Sequence, residues 1–260
     1  MRPDERRDRI ATLVKESSKV SVDELATLLD TSRETVRRDL ALLSERGVVR
    51  KVHGGAVHAQ QTAQESPLND RRVTARAEKV AIGRVAAQLF QPGDSLLVDA
   101  GSTTVYFAEA LAAAGAFTVI TNSPLVAHEL SAPGSKADVY LLGGRYFGEG
   151  HEVLGSQVVE QVQRLHADHA VLTIGAIDNS GNFMDFNADE AFVARAMIAS
   201  SRRVTVVADS TKLGRQALFQ VCDATEVHRL VIDRMPDEPA ASALRAAGVE
   251  IILAEVAVRR

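Results

Sequence analysis

The most chemically suggestive residues of this chain form a short run of small polar side chains around one glycine. The run consists of Asp99, Gly101, Ser102, Thr103 and Thr104. It joins a predicted buried strand, residues 95–99, to a predicted helix, residues 103–113. At such a helix start, free backbone N–H groups, the helix dipole and the hydroxyl groups together suit a phosphate. A helix start capped by Ser102 explains the same residues equally well.

Polar or glycine residues also follow four further predicted strands. Those strands are predicted over residues 117–121, 138–142, 169–174 and 203–208. The residues that follow them are Asn122, Ser123, Gly143, Gly144, Arg145, Gly175, Asp209 and Lys212. Each segment alone fits an ordinary loop, because Gly, Asn and Asp are common turn formers. Because ligands of open parallel sheets bind beyond the carboxyl ends of the strands, the whole set predicts one polar, anion-accepting cleft.

The elements that position this cleft are short apolar strands that alternate with helical stretches. An amphipathic helix over residues 78–90 precedes the first strand, and the last helix and strand are predicted over residues 237–247 and 250–253. Alternation of this kind predicts an α/β domain with a largely parallel central sheet. We assign this domain to residues 77–260.

The N-terminal part of the chain carries a different signal, a helix with two adjacent arginines. Thr31 or Ser32 can cap this helix, and Thr31 has capping-box spacing to Glu34. The apolar face of the helix consists of Val36, Leu40 and Leu43. Arg37 and Arg38 fall on the opposite face. Arginines in such a position can bind guanine O6 and N7 or clamp phosphates, which suits a helix in the DNA major groove.

The flanking elements favour this DNA-reading interpretation. By itself, the arginine pair fits a solvated helix face with ion pairs to Glu34 or Asp39. A second helix, predicted over residues 21–29, precedes it, and the connector of residues 30–31 is short enough for a helix-turn-helix. A further helix over residues 3–16 comes before both. Three short helices of this kind predict a small DNA-binding domain.

A basic β-hairpin follows the arginine helix and predicts a wing. Gly47 ends the helix, residues 48–51 form a strand, and a turn at residues 53–55 leads to a short return strand. The predicted DNA contacts of helix and wing are Ser32, Arg33, Glu34, Thr35, Arg37, Arg38, Arg50, Lys51 and His53. We assign residues 1–57 to the DNA-binding domain and residues 58–76 to a linker.

These motifs resemble those of the DeoR family of bacterial transcription regulators. In the N-terminal domain the family pattern matches Ser32, Thr35–Leu40 and His53–Ala56. In the second domain the matching segments are Asp99–Thr104, Thr121–Ser123, Gly143 with Gly144, Asp209 with Lys212, and Arg71 with Glu78 and Lys79. The resemblance covers nearly the whole chain and is weakest over residues 58–68.

The resemblance implies a fold and a ligand class that composition and spacing do not show. The second domain is expected to resemble ribose-5-phosphate isomerase and glucosamine-6-phosphate deaminase folds and to bind a phosphorylated sugar or sugar derivative. Arg71, Lys79 and Glu190 join the predicted effector-binding residues, with Lys79 adding charge and Glu190 binding hydroxyl groups. For Lys79 a solvated helix face, and for Glu190 a favourable charge at a helix start, are the alternatives. A homodimer or homotetramer is also implied.

Composition and charge limit the class of protein. The chain has 260 residues, a net charge of −4 and a single cysteine, Cys222, which excludes an internal disulfide. Neither an apolar signal segment nor a bilayer-spanning run is recognisable, so we expect a cytoplasmic protein. The sequence shows no zinc-ligand spacing, and we predict no metal, no cofactor and no membrane partner.

Three functions are compatible with these motifs. The first is a transcription regulator, expected to repress carbohydrate catabolism genes by binding double-stranded operator DNA and to respond to a phosphorylated sugar. The second is a sugar-phosphate isomerase, because the cleft contains carboxylates and a lysine that can act as acid and base. The third is a sugar-phosphate sensor whose N-terminal domain binds protein. We favour the regulator and predict no catalytic residue, because an isomerase gains nothing obvious from an arginine helix and a wing.

Overall fold

The computed structural model describes residues 2–16, 20–45, 48–52, 54–58 and 65–256. Internal contacts divide the chain into two compact units, residues 1–62 and 63–260. The predicted helix-ending Gly47 and the predicted DNA contact His53 lie outside the described residues, as does the side chain of Arg50. In the described residues no helix combines the length and the apolar character that crossing a bilayer requires.

The N-terminal unit consists of three helices and a small antiparallel sheet. Its elements are α1 (Pro3–Glu16), β1 (Val20–Ser21), α2 (Val22–Leu28), α3 (Arg33–Glu45), β2 (Val49–Val52) and β3 (Gly55–His58). The three helices and the hairpin confirm the predicted winged helix-turn-helix. The short strand β1 is an addition, and the sheet order is β1-β3-β2. Gly55 allows this pairing, because a Cβ atom there would lie 2.2 Å from the carbonyl oxygen of Val20.

Local capping bonds fix the two helices of the helix-turn-helix. The Ser21 hydroxyl accepts a bond from the Glu24 N–H at 3.1 Å, and the Glu24 carboxylate accepts one from the Ser21 N–H at 2.7 Å. For α3 the cap is Ser32 rather than Thr31, because the helix begins at Arg33 and the Thr35 N–H donates to the Ser32 hydroxyl at 3.1 Å.

The C-terminal unit is an α/β domain with small accessory strands. Its elements are α4 (Leu68–Val73), α5 (Arg76–Ala87), β4 (Ser95–Val98), α6 (Ser102–Ala112), β5 (Thr118–Thr121), α7 (Pro124–Leu130), β6 (Asp138–Leu141), β7 (Arg145–Phe147), β8 (Glu152–Leu154), α8 (Ser156–Val162), β9 (Ala167–Leu172), β10 (Ala176–Ile177), β11 (Phe183–Asp185), α9 (Ala188–Ala199), β12 (Ser201–Val207), β13 (Phe219–Cys222), β14 (Arg229–Ile232), α10 (Ala240–Ala246) and β15 (Glu250–Leu253). Two 3-10 turns cover Ser210–Lys212 and Ala224–Glu226.

A parallel sheet forms the centre of this unit and confirms the predicted fold class. In the described part of the unit, seven strands pair in the order β15-β14-β12-β9-β4-β5-β6, and every neighbouring pair is parallel. Successive residues of β4 pack on opposite faces: Leu96 joins the cluster of Ile82 and Phe107, whereas Leu97 joins that of Leu154. Both faces of the sheet are therefore covered, as is usual for parallel sheets.

The strand order reverses between β4 and β9. From β4 the chain continues outwards through β5 and β6, and then returns to place β9 on the other side of β4. Such a topological switch point leaves a crevice beyond the carboxyl ends of the two strands, where ligands of open α/β sheets bind. Residues 99–104 and 173–175 border this crevice.

Several short elements differ from the sequence-based expectation. The predicted loop of residues 143–150 contains β7, and the predicted linker of residues 58–76 contains α4. Strands β8, β10, β11 and β13 were not predicted either, because two to four residues are too few to show a period. The linker boundaries themselves stay a prediction.

A close contact between α5 and α6 makes Gly83 a testable position. A Cβ atom on Gly83 would lie 2.6 Å from the backbone carbon of Tyr106. Alanine normally favours a helix over glycine by about 1 kcal/mol. We expect Gly83→Ala to destabilise the protein instead. The added methyl group should lower the unfolding free energy of the C-terminal unit by about 1–3 kcal/mol, as overpacking does.

Urea unfolding followed by circular dichroism measures this effect, with Gly148→Ala as the matched control. A Cβ atom on Gly148 meets no neighbouring atom within 4 Å. Equal stability of the two variants would contradict the close contact between α5 and α6.

Candidate functional sites

The exposed face of α3 carries the predicted DNA-reading arginines. The side chains of Arg33, Arg37 and Arg38 are 66%, 64% and 78% exposed. Arg33 pairs with Asp23 at 2.7 Å, while Arg38 lies 3.5 Å and Arg37 4.0 Å from Glu34. Exposed pairs of this kind contribute only about 0–1 kcal/mol, so the guanidinium groups remain available to an incoming anion.

The remaining predicted DNA contacts surround this face. The Ser32 and Thr35 hydroxyls lie 2.8 Å apart at the start of α3, and Lys51 is exposed on β2. Asp39, which was one possible partner of the arginine pair, instead points inwards and is bound by Arg6 of α1 at 2.5 Å. This ion pair attaches α1 to the buried side of α3. Asp39 is therefore not a partner of the arginines on the exposed side.

The start of α6 lies at the switch point without a side-chain cap. Gly101 is the N-cap residue, so the alternative in which Ser102 caps the helix is wrong. A Cβ atom on Gly101 would lie 2.4 Å from the Thr173 side chain. Because Gly101 has no side chain, the residues that follow β4 and β9 can pack closely together. Ser102, Thr103 and Thr104 are buried in the first turn, and the Thr104 hydroxyl donates to the Gly101 carbonyl at 3.1 Å.

Four carboxyl groups crowd the same crevice: Asp99, Glu152 and Asp185 are buried, and Glu190 is partly buried. Burial and nearby Asp185 raise the pKa of Asp99 to about 8, and burial and Asp99 raise that of Glu152 to about 8. Burial and Glu152 raise the pKa of Glu190 to about 9, and burial and Glu190 raise that of Asp185 well above its ordinary value. Asp99, Glu152 and Glu190 are therefore largely protonated at neutral pH and can both donate to and accept from ligand hydroxyls.

A basic cluster accompanies the carboxyl groups. Arg71 binds the Glu65 carboxylate at 2.6 Å, and Lys212 binds its other oxygen. Burial opposes ionisation of Glu65, but Lys212 and Arg71 outweigh burial and lower its pKa to about 2. Burial also lowers the pKa of the Arg215 guanidinium, which lies 5.1 Å from the centre of the Phe186 ring.

Lys79 attaches the start of α5 to the 3-10 turn after β12. Its ammonium group donates to the carbonyls of Arg71 at 2.6 Å and Thr74 at 2.8 Å, and lies 3.3 Å from the Asp209 carboxylate. Burial lowers the pKa of Lys79, while Asp209 opposes that shift. Asp209 also accepts a bond from the Thr211 N–H at 3.0 Å. Two backbone carbonyls and the Asp209 carboxylate thus surround the buried Lys79 ammonium group, and its solvated-face alternative is wrong.

Other predicted residues take supporting positions around the crevice. Asn122 is fully buried and its amide donates to the Val153 carbonyl at 3.4 Å, whereas its Oδ1 atom has no partner among the described residues. The Ser123 hydroxyl caps α7 by accepting from the Val126 N–H at 3.3 Å. Gly175 lies against the Phe186 ring, which a Cβ atom would approach to 2.6 Å.

The predicted glycines after β6 line a different recess, and Arg145 lies at the surface. Gly143 and Gly144 line the recess with Gln161, whose amide donates to the Gly143 carbonyl at 2.7 Å. Arg145 is 69% exposed and pairs with Asp189 at 2.9 Å. Among the described residues, the hydrogen bonds of Gly143 and the ion pair of Arg145 do not involve the crevice carboxyls.

Sequence reasoning missed three charged residues of the crevice, Glu65, Glu152 and Arg215. Asp185 was recognisable as a loop residue that could set ligand selectivity, but its role was left unassigned. Asp185 carried a usable signal, since it interrupts the apolar run of residues 183–186 and charged residues are rarely buried unpaired. Oxygens of Glu65, Asp185 and Glu190 lie within 4.8 Å of one another, a spacing that a cation can use. However, Arg71 and Lys212 already hold both Glu65 oxygens.

The raised carboxyl pKa values predict a pH-dependent stability. Folded Glu152 keeps its proton up to about pH 8, whereas the unfolded chain releases it near pH 4.5. The folded state therefore binds more protons, and the unfolding free energy falls as the pH rises through this window. Glu152→Gln stays neutral, so we expect it to match the unsubstituted protein at pH 5 and to exceed it by about 1 kcal/mol or more at pH 8.5.

Urea unfolding at both pH values tests this, with the exposed Glu149→Gln as the control. Glu65 stays ionised throughout the window, since its pKa is about 2. A stability difference between Glu152→Gln and the unsubstituted protein that is the same at pH 5 and pH 8.5 would contradict a protonated Glu152.

Comparison with known proteins assigns both units to one family. The family described as the DeoR-like helix-turn-helix domain matches residues 6–62, and the DeoR C terminal sensor domain matches residues 74–234. The chain is 34% identical to the HTH-type transcriptional repressor CsqR of Escherichia coli K12, covering 95% of this chain and 94% of that protein. It is 33% identical to the glycerol-3-phosphate regulon repressor of Haemophilus influenzae, covering 89% and 90%.

Among solved structures, the ribose 5-phosphate isomerase A of Methanocaldococcus jannaschii aligns with 54% of this chain and 55% of that one, at 12% identity and a TM-score of 0.39. The two family matches fall one in each unit, and both relatives exceed 30% identity over most of their length. The chain belongs to the DeoR family of transcription regulators, with an N-terminal helix-turn-helix domain and a C-terminal sensor domain.

Proposed function

We propose that this protein is a transcriptional repressor of carbohydrate or sugar-phosphate catabolism genes that responds to a phosphorylated sugar or sugar derivative. The observation that carries the proposal is the row of weakly paired, exposed arginines on α3 within a winged helix-turn-helix. The names of the two relatives, both of them repressors, support the direction of regulation.

For DNA binding, α3 enters the major groove and the wing lies over the adjacent backbone. Arg33 and Arg37 are one helical turn apart and project from the same side. Arginine at this position binds guanine edges in two-point contact or neutralises phosphates. Two recognition helices must enter grooves about 34 Å apart to read a palindromic site, so the active form is a homodimer or homotetramer.

For the effector, the crevice of the sensor domain offers complementary groups for phosphate and sugar. The uncapped start of α6 provides free N–H groups and the hydroxyls of Ser102 and Thr103, and Lys212 adds positive charge. The protonated carboxyls of Asp99 and Glu190 bind sugar hydroxyls. The effector changes DNA binding only if its affinity differs between the DNA-bound and free arrangements of the oligomer.

We expect Arg37→Ala to weaken binding to DNA from the protein's own promoter region. Loss of one base-contacting arginine costs about 1–3 kcal/mol, or roughly 5- to 150-fold in affinity. Fluorescence anisotropy at fixed salt measures this, with Arg84→Ala as the control. Arg84 is an exposed helical arginine of the sensor domain. Equal affinities of the two variants would exclude a DNA contact at Arg37.

We expect Ser102→Ala to reduce the effector response without changing DNA affinity. A hydrogen bond to a charged group contributes about 1.5–3 kcal/mol, so release of DNA should need about tenfold or more effector. The assay titrates the protein–DNA complex with a panel of sugar phosphates. Ser156→Ala is the matched control, because Ser156 also opens a helix after a glycine cap and is exposed.

The same titration separates the proposal from an isomerase. Release of DNA by one compound at equal concentrations in both serine variants would contradict a phosphate site at α6. Interconversion of aldose and ketose phosphates by the unsubstituted protein would contradict a pure regulator.

A further inference from the structure

Glu65 occupies the basic side of the effector crevice although it lies outside both matched domains. It falls between the helix-turn-helix match, which ends at residue 62, and the sensor-domain match, which begins at residue 74. Its side chain is 13% exposed, and its two oxygens bind Arg71 and Lys212. A residue from the stretch that joins the domains thus supplies the counter-charge of the crevice.

The surrounding charges leave Glu65 as the main ionised acid facing Arg71. The other acids that act on Arg71 are Glu190, Glu152 and Asp185, and all three have raised pKa values. At neutral pH these three acids therefore carry less negative charge than Glu65 does. Removal of Glu65 would therefore leave Arg71 buried without an ionised partner, which is strongly unfavourable unless another anion takes its place.

Two unused donors show that the site can hold more acceptor oxygens than Glu65 provides. The Nε atom of Arg71 and the Nη2 atom of Arg215 are buried and have no hydrogen-bond partner among the described residues. Arg215 also acts electrostatically on Glu65. A carboxylate has two oxygens, whereas a phosphoryl group has three terminal oxygens and up to two negative charges. Buried donors without partners are unfavourable, so this site favours a ligand with more acceptor oxygens than Glu65 has.

We propose that Glu65 is a built-in competitor of the effector, and that the phosphoryl group of the effector replaces it at Arg71, Lys212 and Arg215. This inference rests on the proposed function, because it requires an anionic effector in the crevice. Expulsion of Glu65 frees the chain segment that leads to the DNA-binding domain and thereby transmits effector binding along the backbone.

Contacts that do not involve Glu65 limit how far the release extends. The Arg72 carbonyl accepts a bond from the Tyr106 hydroxyl at 3.0 Å, and the Arg71 carbonyl accepts one from Lys79 at 2.6 Å. These bonds hold α4 in place after Glu65 leaves. The Pro67 carbonyl accepts bonds from the Asp70 and Arg71 N–H groups at 3.1 Å, the Leu68 N–H donates to the Glu149 carbonyl at 3.2 Å, and the Leu68 side chain is buried. The release is therefore expected at residues 65 and 66, ahead of Pro67, and not within α4.

Calorimetric titration of the full-length protein with inorganic phosphate provides the first test. Glu65→Gln removes the competing charge and is expected to bind phosphate at least tenfold more tightly than the unsubstituted protein. The control is Glu149→Gln, which removes the same charge from an exposed side chain and is expected to change the affinity less than twofold.

Hydrogen–deuterium exchange separates displacement from a simple change in local charge. Ligand binding usually slows exchange, but here saturating phosphate is expected to accelerate it at the amides of residues 65 and 66 of the unsubstituted protein and to leave residues 68–73 unchanged. In Glu65→Gln, exchange at the amides of residues 65 and 66 is expected to be fast already without phosphate. The unsubstituted protein alone decides this readout, even if the variant folds poorly.

The outcomes distinguish this inference from the proposed function. Phosphate binding without faster exchange at the amides of residues 65 and 66 overturns the displacement of Glu65 but leaves the anion site intact, and the exchange result decides where the two readouts disagree. Absence of phosphate binding in both the unsubstituted protein and Glu65→Gln overturns the displacement together with the anion site. Binding by the variant alone supports Glu65 as the competitor.

Discussion

Burial of ionisable groups at the switch point is the constraint on which the sensor domain depends. A buried charge is tolerated only when it is neutralised or paired. The crevice uses both solutions: Asp99, Glu152 and Glu190 keep their protons, while Glu65 stays ionised between Arg71 and Lys212. The same groups therefore determine the stability of the empty domain and the chemistry that it offers to a ligand.

The parallel sheet creates this constraint because it brings distant segments to one edge. Asp99 follows β4 and Asp209 follows β12, whereas Lys79 reaches the same edge from α5. The helix that carries Lys79 also packs closely on α6 at Gly83. The helix α5 therefore contributes both to the packing of the domain and to the charges at this edge of the sheet.

Local patterns allowed much of this architecture to be predicted from sequence. The parallel α/β class and the winged helix-turn-helix follow from periodicity and capping, and the spacing of Ser21 and Glu24 is that of the capping box they form. The residues after strands were also recognisable, although Gly143 lines another recess and Arg145 pairs with Asp189 at the surface. Glu65 was not predictable, because its burial depends on Lys212, 147 residues away in sequence.

Charge balance gives a physical reason for a phosphorylated ligand rather than a neutral sugar. In the proposed displacement, a neutral sugar in place of Glu65 would leave buried Arg71 without an ionised partner, at a cost of several kcal/mol, whereas Lys212 would still face Asp209. A phosphate would restore the charge balance at Arg71 and offer acceptors to the donors that Glu65 leaves unused. The proposed displacement therefore selects its ligand by charge, because a neutral sugar cannot replace the negative charge of Glu65.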